Sequence, residues 1–223
     1  MARKVISSVD AIETTVVTSP KLYTVTIMGA DGCLMNRMED LSVPKSKKKD
    51  QAKTDKTELE YLHWREKMYV NGAGHVCWPS ENIHECMKSG TIYWGAKIPG
   101  AGNKKYADLV ARAIVPEEME ISVPGEYDFL TPDNERYITP FGKEVNGNPS
   151  NFKGSSKVFK IRPLIRPWGG SFLLHVFDAR LSVEILRNIL SMSAMFVGLS
   201  DWRPKFGRFE LVSIEENGFE KVA

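Results

Sequence analysis

Between residues 22 and 28, apolar Tyr23, Val25 and Ile27 alternate with Thr24 and Thr26, the two-residue period of a strand buried on one face. Upstream, the β-branched stretch Val5, Ile6, Val9, Ile12, Val16 and Val17 is ended by Ser19-Pro20, and reads equally as a strand or as an arm that docks on another subunit. After Gly29-Ala30-Asp31-Gly32 the pattern collapses. From Glu39 to Thr57 the chain is Lys-rich and nearly without large apolar side chains, so it cannot bury a core and reads as a flexible insertion. Pro79 suits a first helical position, and Ile83 and Met87, one turn apart, predict a short helix before Gly90. Leu109, Ala111, Ala113 and Val115 alternate as one face of a second strand bounded by Pro116. Pro124 to Gly154 is rich in Pro, Gly, Asn and aromatics without a sustained period, which reads as a long insertion with room for a hairpin. Strand signals return at 158–165 and 172–177, on either side of Arg166-Pro167-Trp168-Gly169-Gly170. Ser182 is a good N-cap, and Leu186, Ile189, Leu190, Ser193 and Val197 trace one helical face. The last strand, Phe206 to Glu215, changes phase from Phe209 and Leu211 to Val212 and Ile214, which predicts a bulge.

Strand, helix, strand, strand, helix, strand is the order of an α+β, ferredoxin-like (RRM-like) split βαβ core with long insertions. The expected layout is an N-terminal arm at 1–20, a single domain at 21–216 with insertions at about 36–62 and 117–157, and a C-terminal tail at 217–223. In such a sheet two helices cover one face, and RNA-recognition domains present nucleic acid to the other.

Composition narrows the picture only modestly. With 42% hydrophobic and 26% charged residues, the chain has the balance of a folded globular protein rather than a disordered or membrane-embedded one. It has no apolar run of about 18 residues and no secretory h-region at its start, so no membrane partner and a cytoplasmic location are expected. Cys33, Cys77 and Cys86, with His75 and His84 nearby, match no zinc spacing; reduced thiols, no metal and no cofactor are expected. Net charge is only +2, yet it is segregated: nine acids face three bases between Ala107 and Asn148, whereas ten bases face four acids between Ser150 and Glu210. Such segregation suits one face meeting phosphates, with the run Lys45 to Lys49 as a second basic element.

The most distinctive segment follows the best helix and enters the last strand: Gly198, Leu199, Ser200, Asp201, Trp202, Arg203, Pro204, Lys205, Phe206, Gly207, Arg208, Phe209. A glycine, a basic loop and then Gly207-Arg208-Phe209 resembles the glycine-rich motif of the repeat-associated mysterious protein superfamily, which includes backbone and processing subunits of CRISPR effector complexes. Trp64-Arg65, the turn Asn71-Gly72 and the run Val76-Cys77-Trp78-Pro79-Ser80 resemble that superfamily's entry to its first helix. The Asp201-Trp202-Arg203-Pro204 segment is also similar to uncharacterised phage-encoded proteins of like length, which would place the chain in a host cytoplasm. The loop departs from the superfamily in carrying a single Gly207 where two or three close glycines are usual.

The resemblance implies a nucleic-acid role. Aromatic rings beside cations, as at Trp64-Arg65, Arg166 with Trp168, Trp202-Arg203 and Phe206-Arg208, hold single strands through stacking and phosphate contact. The expected binding residues are Arg65, Lys160, Arg162, Arg166, Trp168, Trp202, Arg203, Lys205 and Arg208, together with Lys47, Lys48 and Lys49. No hydrolase elbow, Walker loop or His-Glu-x-x-His helix is present, so no catalytic residue is assigned. Processing members use a histidine as general base, which would make His63 or His84 the candidates. The expected function is therefore non-enzymatic binding of single-stranded RNA or DNA by multiple copies, as a homo-oligomer or filament along the strand. The alternatives are a metal-independent endoribonuclease of the CRISPR-processing type and a phage anti-defence or interaction protein.

Overall fold

The alternation of Tyr23, Val25 and Ile27 becomes the buried face of β1 (Lys21–Gly29), an inner strand of the main sheet. A computed structural model describes residues 20–37, 56–126, 128–146 and 157–217; the expected arm and the lysines Lys47, Lys48 and Lys49 lie outside these described residues. In chain order the further elements are β2 (Cys33–Leu34), α1 (Lys56–Leu62), β3 (Cys77–Trp78), α2 (Ser80–Trp94), α3 (Tyr106–Ala113), β4 (Ile114–Pro116), β5 (Met119–Glu120), β6 (Ile138–Asn146), β7 (Lys157–Ile165), β8 (Gly169–Val176), α4 (Val183–Met192) and β9 (Phe209–Asn217). The main sheet runs β4-β8-β1-β9, antiparallel at every step. Two split βαβ units, β1-α2-β4 and β8-α4-β9, interleave in it, so the fold is α+β and ferredoxin-like. Ile83, Cys86 and Met87 of α2 and Leu186, Ile189 and Leu190 of α4 pack on Tyr23, Val25, Ile27, Phe172 and Leu174. Each such side chain contributes about 1.5–3 kcal/mol by leaving water. Among the described residues no helix is long and apolar enough to cross a membrane.

Three local expectations are corrected. The second strand is only Ile114–Pro116, because Tyr106, Leu109, Val110 and Ala113 form a buried stripe at helical spacing while Ala111 is exposed. The alternation at 109, 111 and 113 is a coincidence of two small alanines. The helix after Pro79 does not stop at Gly90 but runs to Trp94 and ends at Gly95, whose φ of +67° suits a glycine cap. Strand β7 does not join the main sheet: it pairs with β6 as a long hairpin, and β2 adds beside it to give the sheet β2-β7-β6. The bulge in the last strand is present, with the register shifting between Thr26 and Ile27 so that Val212 is unopposed. Ser182 caps α4, its Oγ accepting from the Ile185 N–H at 3.4 Å, and a π-turn over Ser193–Val197 completes the helix.

The hairpin is fastened to the segment that follows the Lys-rich stretch. Strand β2 covers the edge of β7 only at Leu164 and Ile165. Farther along, the Glu60 carboxylate of α1 accepts from the Ile161 N–H at 3.1 Å and from Lys160 Nζ at 2.8 Å, and it also pairs with Lys67. Lys67 Nζ in turn donates to the Ile161 carbonyl at 2.7 Å. Burial alone pulls the Glu60 pKa up, but hydrogen bonds from Lys160, Lys67 and the Ile161 N–H outweigh it and hold the group at about 2. A carboxylate depressed in the folded state stabilises fully above its unfolded pKa of about 4.3, and that contribution is lost as pH falls toward 2. Thermal melting from pH 6 to pH 2.5 should therefore fall more steeply for the native chain than for Glu60→Gln. Equal slopes would show that Glu60 does not fasten the hairpin.

Candidate nucleic-acid interface

The loop between α4 and β9 is closed at its base by two glycines nine positions apart in sequence. Gly198 and Gly207 have φ of +81° and +78°, a region side chains rarely enter. A Cβ on Gly198 would lie 2.7 Å from the Gly207 carbonyl oxygen, and one on Gly207 would lie 2.3 Å from that of Leu199. The Leu199 N–H donates to the Gly207 carbonyl at 2.8 Å across this contact. The base is then pinned to the turn after β1: the Gly207 N–H donates to the Gly32 carbonyl at 3.0 Å and the Asp201 N–H to that of Leu34 at 2.8 Å. Ser200 Oγ accepts from the Leu34 N–H at 2.9 Å.

This base presents Trp202, Arg203, Lys205 and Phe206 to the β6-β7 hairpin. Trp202 is half-buried and has φ of +60°, which is uncommon for a bulky residue and costs on the order of 1–2 kcal/mol. Phe141 of β6 meets Trp202 edge-on at 5.9 Å between ring centroids and Phe206 at 5.2 Å. Directly across the hairpin, Phe141 opposes Arg162 and Lys143 opposes Lys160. One face therefore carries Phe141, Lys143, Lys160 and Arg162 together. Lys143 Nζ stands 5.5 Å and the Arg162 guanidinium carbon 4.8 Å from the Trp202 ring centre, both within cation-π range. Two lysines directly opposite repel one another. Glu60 offsets Lys160, while Lys143, Arg203 and Lys205 are exposed with no carboxylate partner among the described residues.

The expected site residues separate into three groups. Trp202, Arg203, Lys205, Lys160 and Arg162 lie on the loop or on the hairpin face it meets, although Arg162 is only 9% exposed, paired with Asp201 and covered by Trp202. Arg166, Arg208 and Arg65 are elsewhere. Arg166 is exposed just past β7, Arg208 is bonded to Asp31 at 2.6 Å, and Arg65 pairs with Glu135 and lies over Trp64. Trp168 is corrected: it is fully buried, packs so tightly on Gly29 that a Cβ there would lie 2.2 Å from its ring, and donates its indole N–H to the Asp31 carbonyl at 2.6 Å. It cannot stack on a base. It serves the site by fixing the turn to which the loop is pinned.

Sequence reasoning missed Phe141 and Lys143. The only signal is the alternation Phe141, Lys143 against Gly142, hidden in a stretch with no longer period. Gly142 is required on the opposite face, where a Cβ would lie 2.4 Å from Phe159.

The open face of the main sheet does not match the expectation from RNA-recognition domains. Pointing away from the helices are Thr24 and Thr26 of β1, Ser171, Leu173 and His175 of β8, and Ser213 and Glu215 of β9. These positions include no lysine, arginine, tryptophan, tyrosine or phenylalanine. Their hydroxyls pair with one another, as Thr26 and Ser171 do at 2.8 Å, and His175 pairs with Glu117 at 2.8 Å. A face bearing carboxylates and lacking cations repels phosphate, so the cationic and aromatic chemistry has moved to the loop and hairpin.

The remaining histidines and the cysteines are engaged in the fold. His63 pairs with Glu66 at 2.8 Å, His84 lies 3.3 Å from the Val110 carbonyl and His75 pairs with Glu120 at 2.9 Å. Cys33, Cys77 and Cys86 are buried free thiols, and burial pushes Cys77 up to about 11 and Cys86 up to about 12. Among the described residues, no cluster of three or more His, Cys, Asp or Glu side chains is arranged to hold a metal ion.

No family model matches this chain, and no curated protein matches it. Solved structures do. A chain of Type III-B Cmr-beta, determined by cryo-EM bound to cognate target RNA, matches with a TM-score of 0.52 and 14% identity over 89% of this chain. This protein spans 61% of that chain. Cmr6 from Pyrococcus furiosus matches with a TM-score of 0.45 and 12% identity, over 90% of this chain and 100% of its own. At these identities, what the Cmr-beta chain and this protein share is the fold.

Proposed function

We propose that this protein is a non-enzymatic, RNA-binding subunit related to the repeat-associated mysterious protein superfamily, and that it grips a single strand between the α4-β9 loop and the β6-β7 hairpin. The observation that carries the reading is the composite of Trp202, Phe206 and Phe141 with exposed Lys143, Arg203 and Lys205, held on a loop whose base two facing glycines make rigid. Rings supply sequence-tolerant stacking and cations supply phosphate contact, the combination that single strands require. The likeness of fold to a Cmr-beta chain solved with target RNA supports RNA as the polymer and a multi-subunit assembly as the setting. Several copies along one strand, each adding phosphate contacts and a protein interface, is the mode of assembly this reading favours.

Fluorescence polarisation with labelled single-stranded RNA, single-stranded DNA and RNA duplex tests it. Single-stranded RNA should bind most tightly and remain intact. Trp202→Ala should weaken it about ten-fold, in keeping with roughly 1–3 kcal/mol per stacked base. Preference for duplex, or unaltered affinity in Trp202→Ala, would overturn the proposal, and metal-independent cleavage of the strand would favour the nuclease instead.

A further inference from the structure

Resting on that reading, we infer that Trp202 is a displaceable cover and that beneath it Arg162 forms a concealed phosphate site, exposed when a strand binds. Three observations converge on this pair. Arg162 is a cation buried to all but 9% of its surface, and although its Nε is held by Asp201, its Nη1 is buried with no hydrogen-bond partner among the described residues. Buried donors are almost always satisfied, so a charged one left over marks a group awaiting a partner. Directly over it sits Trp202, at 4.8 Å, with its backbone at φ +60°. Backbone in that region persists for a bulky residue only where surrounding contacts impose it.

The third observation is how the cover is held. Among the described residues, no main-chain hydrogen bond ties Trp202 through Phe206 to another segment of the protein, in contrast to Asp201 and Gly207 on either side. Ring contacts with Phe141, Phe206, Arg162 and Lys143 hold the tip. A base can replace those ring contacts and a phosphate oxygen can satisfy Nη1. One outward movement of Trp202 thus relieves the backbone, offers the indole to a base and gives the orphan donor an acceptor. Asp201 stays on the rigid base through its N–H to Leu34 and keeps the guanidinium aimed. The ligand class is a phosphodiester of a single strand.

The test is the salt dependence of binding by a fifteen-nucleotide oligouridylate RNA, with each lost phosphate contact lowering the slope of log K against log salt by about 0.7. Lys205→Ala reports on the surface as a whole. The double variant Arg162→Gln with Asp201→Asn removes the concealed charge while keeping the packing and leaving no lone buried ion, and its melting temperature is measured alongside. A slope reduced by about one phosphate in both variants supports the inference. A reduced slope for Lys205→Ala with a native slope for the folded double variant overturns it and leaves the proposed function standing. A native slope for both removes the binding surface and this site with it. Because the double variant can fail to fold, a second readout uses the native sequence carrying 5-fluorotryptophan. The Trp202 resonance, assigned with Trp202→Phe, should shift on adding the RNA, and a resonance that stays in place while the RNA saturates the protein overturns the inference.

Discussion

Gly207→Val should abolish binding of a single strand at concentrations that saturate the native chain, and should lower the melting temperature by about 10 °C. The residue is at φ +78°, where a β-branched side chain is a true outlier, and its Cβ would lie 2.3 Å from the Leu199 carbonyl oxygen. That neighbour is main chain, so it cannot rotate away. Relieving the overlap means separating Gly198 from Gly207, breaking the 2.8 Å bond from Leu199 N–H to the Gly207 carbonyl and the 3.0 Å bond from Gly207 N–H to Gly32. Conformational strain and overpacking together cost on the order of 3 kcal/mol, and a protein of this size loses roughly 2–4 °C per kcal/mol. The functional loss exceeds the stability loss, because Trp202, Arg203 and Lys205 are all positioned by that closure. Native binding by a folded Gly207→Val protein would show that the glycine contact does not organise the interface.

Gly90→Val is expected to destabilise the fold by about as much and to leave any folded fraction competent to bind. Gly90 lies inside α2, where replacing glycine ordinarily gains up to about 1 kcal/mol of helix propensity with alanine. Here the gain is overwhelmed. A Cβ would lie 2.1 Å from Ser193 Oγ and 2.8 Å from the Ser193 Cα and main-chain nitrogen, at the start of the π-turn that follows α4. Ser193 is fully buried and its Oγ donates to the Ile189 carbonyl at 2.7 Å, so it has no room to retreat. Chemical unfolding should place Gly90→Val well below the native chain, with Gly90→Ala between them. A stabilised Gly90→Ala would mean that the two helices are not in contact at this point.

The same glycines mark the limit of reading along the chain. Gly90 reads as a helix stop because glycine is a poor helix former, but α2 continues past it: the absence of a side chain lets α4 and its π-turn approach, a reason that exists only once the second helix is packed. Gly207 reads as a lone glycine in a basic loop. Its counterpart is Gly198 at the other end of the same loop, and the two meet only because the loop closes on itself.

Elements governed by their own periodicity are readable directly. Tyr23, Val25 and Ile27 specify β1, Ser182 and the apolar stripe behind it specify α4, and the phase change around Val212 specifies the bulge in β9, since in each case neighbours within one turn or one strand decide the conformation. The order of those elements is enough for a ferredoxin-like core. Which rings and cations meet is set by contacts distant in sequence. Trp168 and Trp202 are both tryptophans within two positions of a proline and an arginine, yet Gly29 helps bury the first completely and the hairpin leaves the second half-open. Lys143 lies in a stretch whose net charge is negative, and it reaches the basic loop only through the pairing of β6 with β7. Side-chain type and local period are properties of short segments, whereas burial and the company a charge keeps are properties of surfaces brought together by folding.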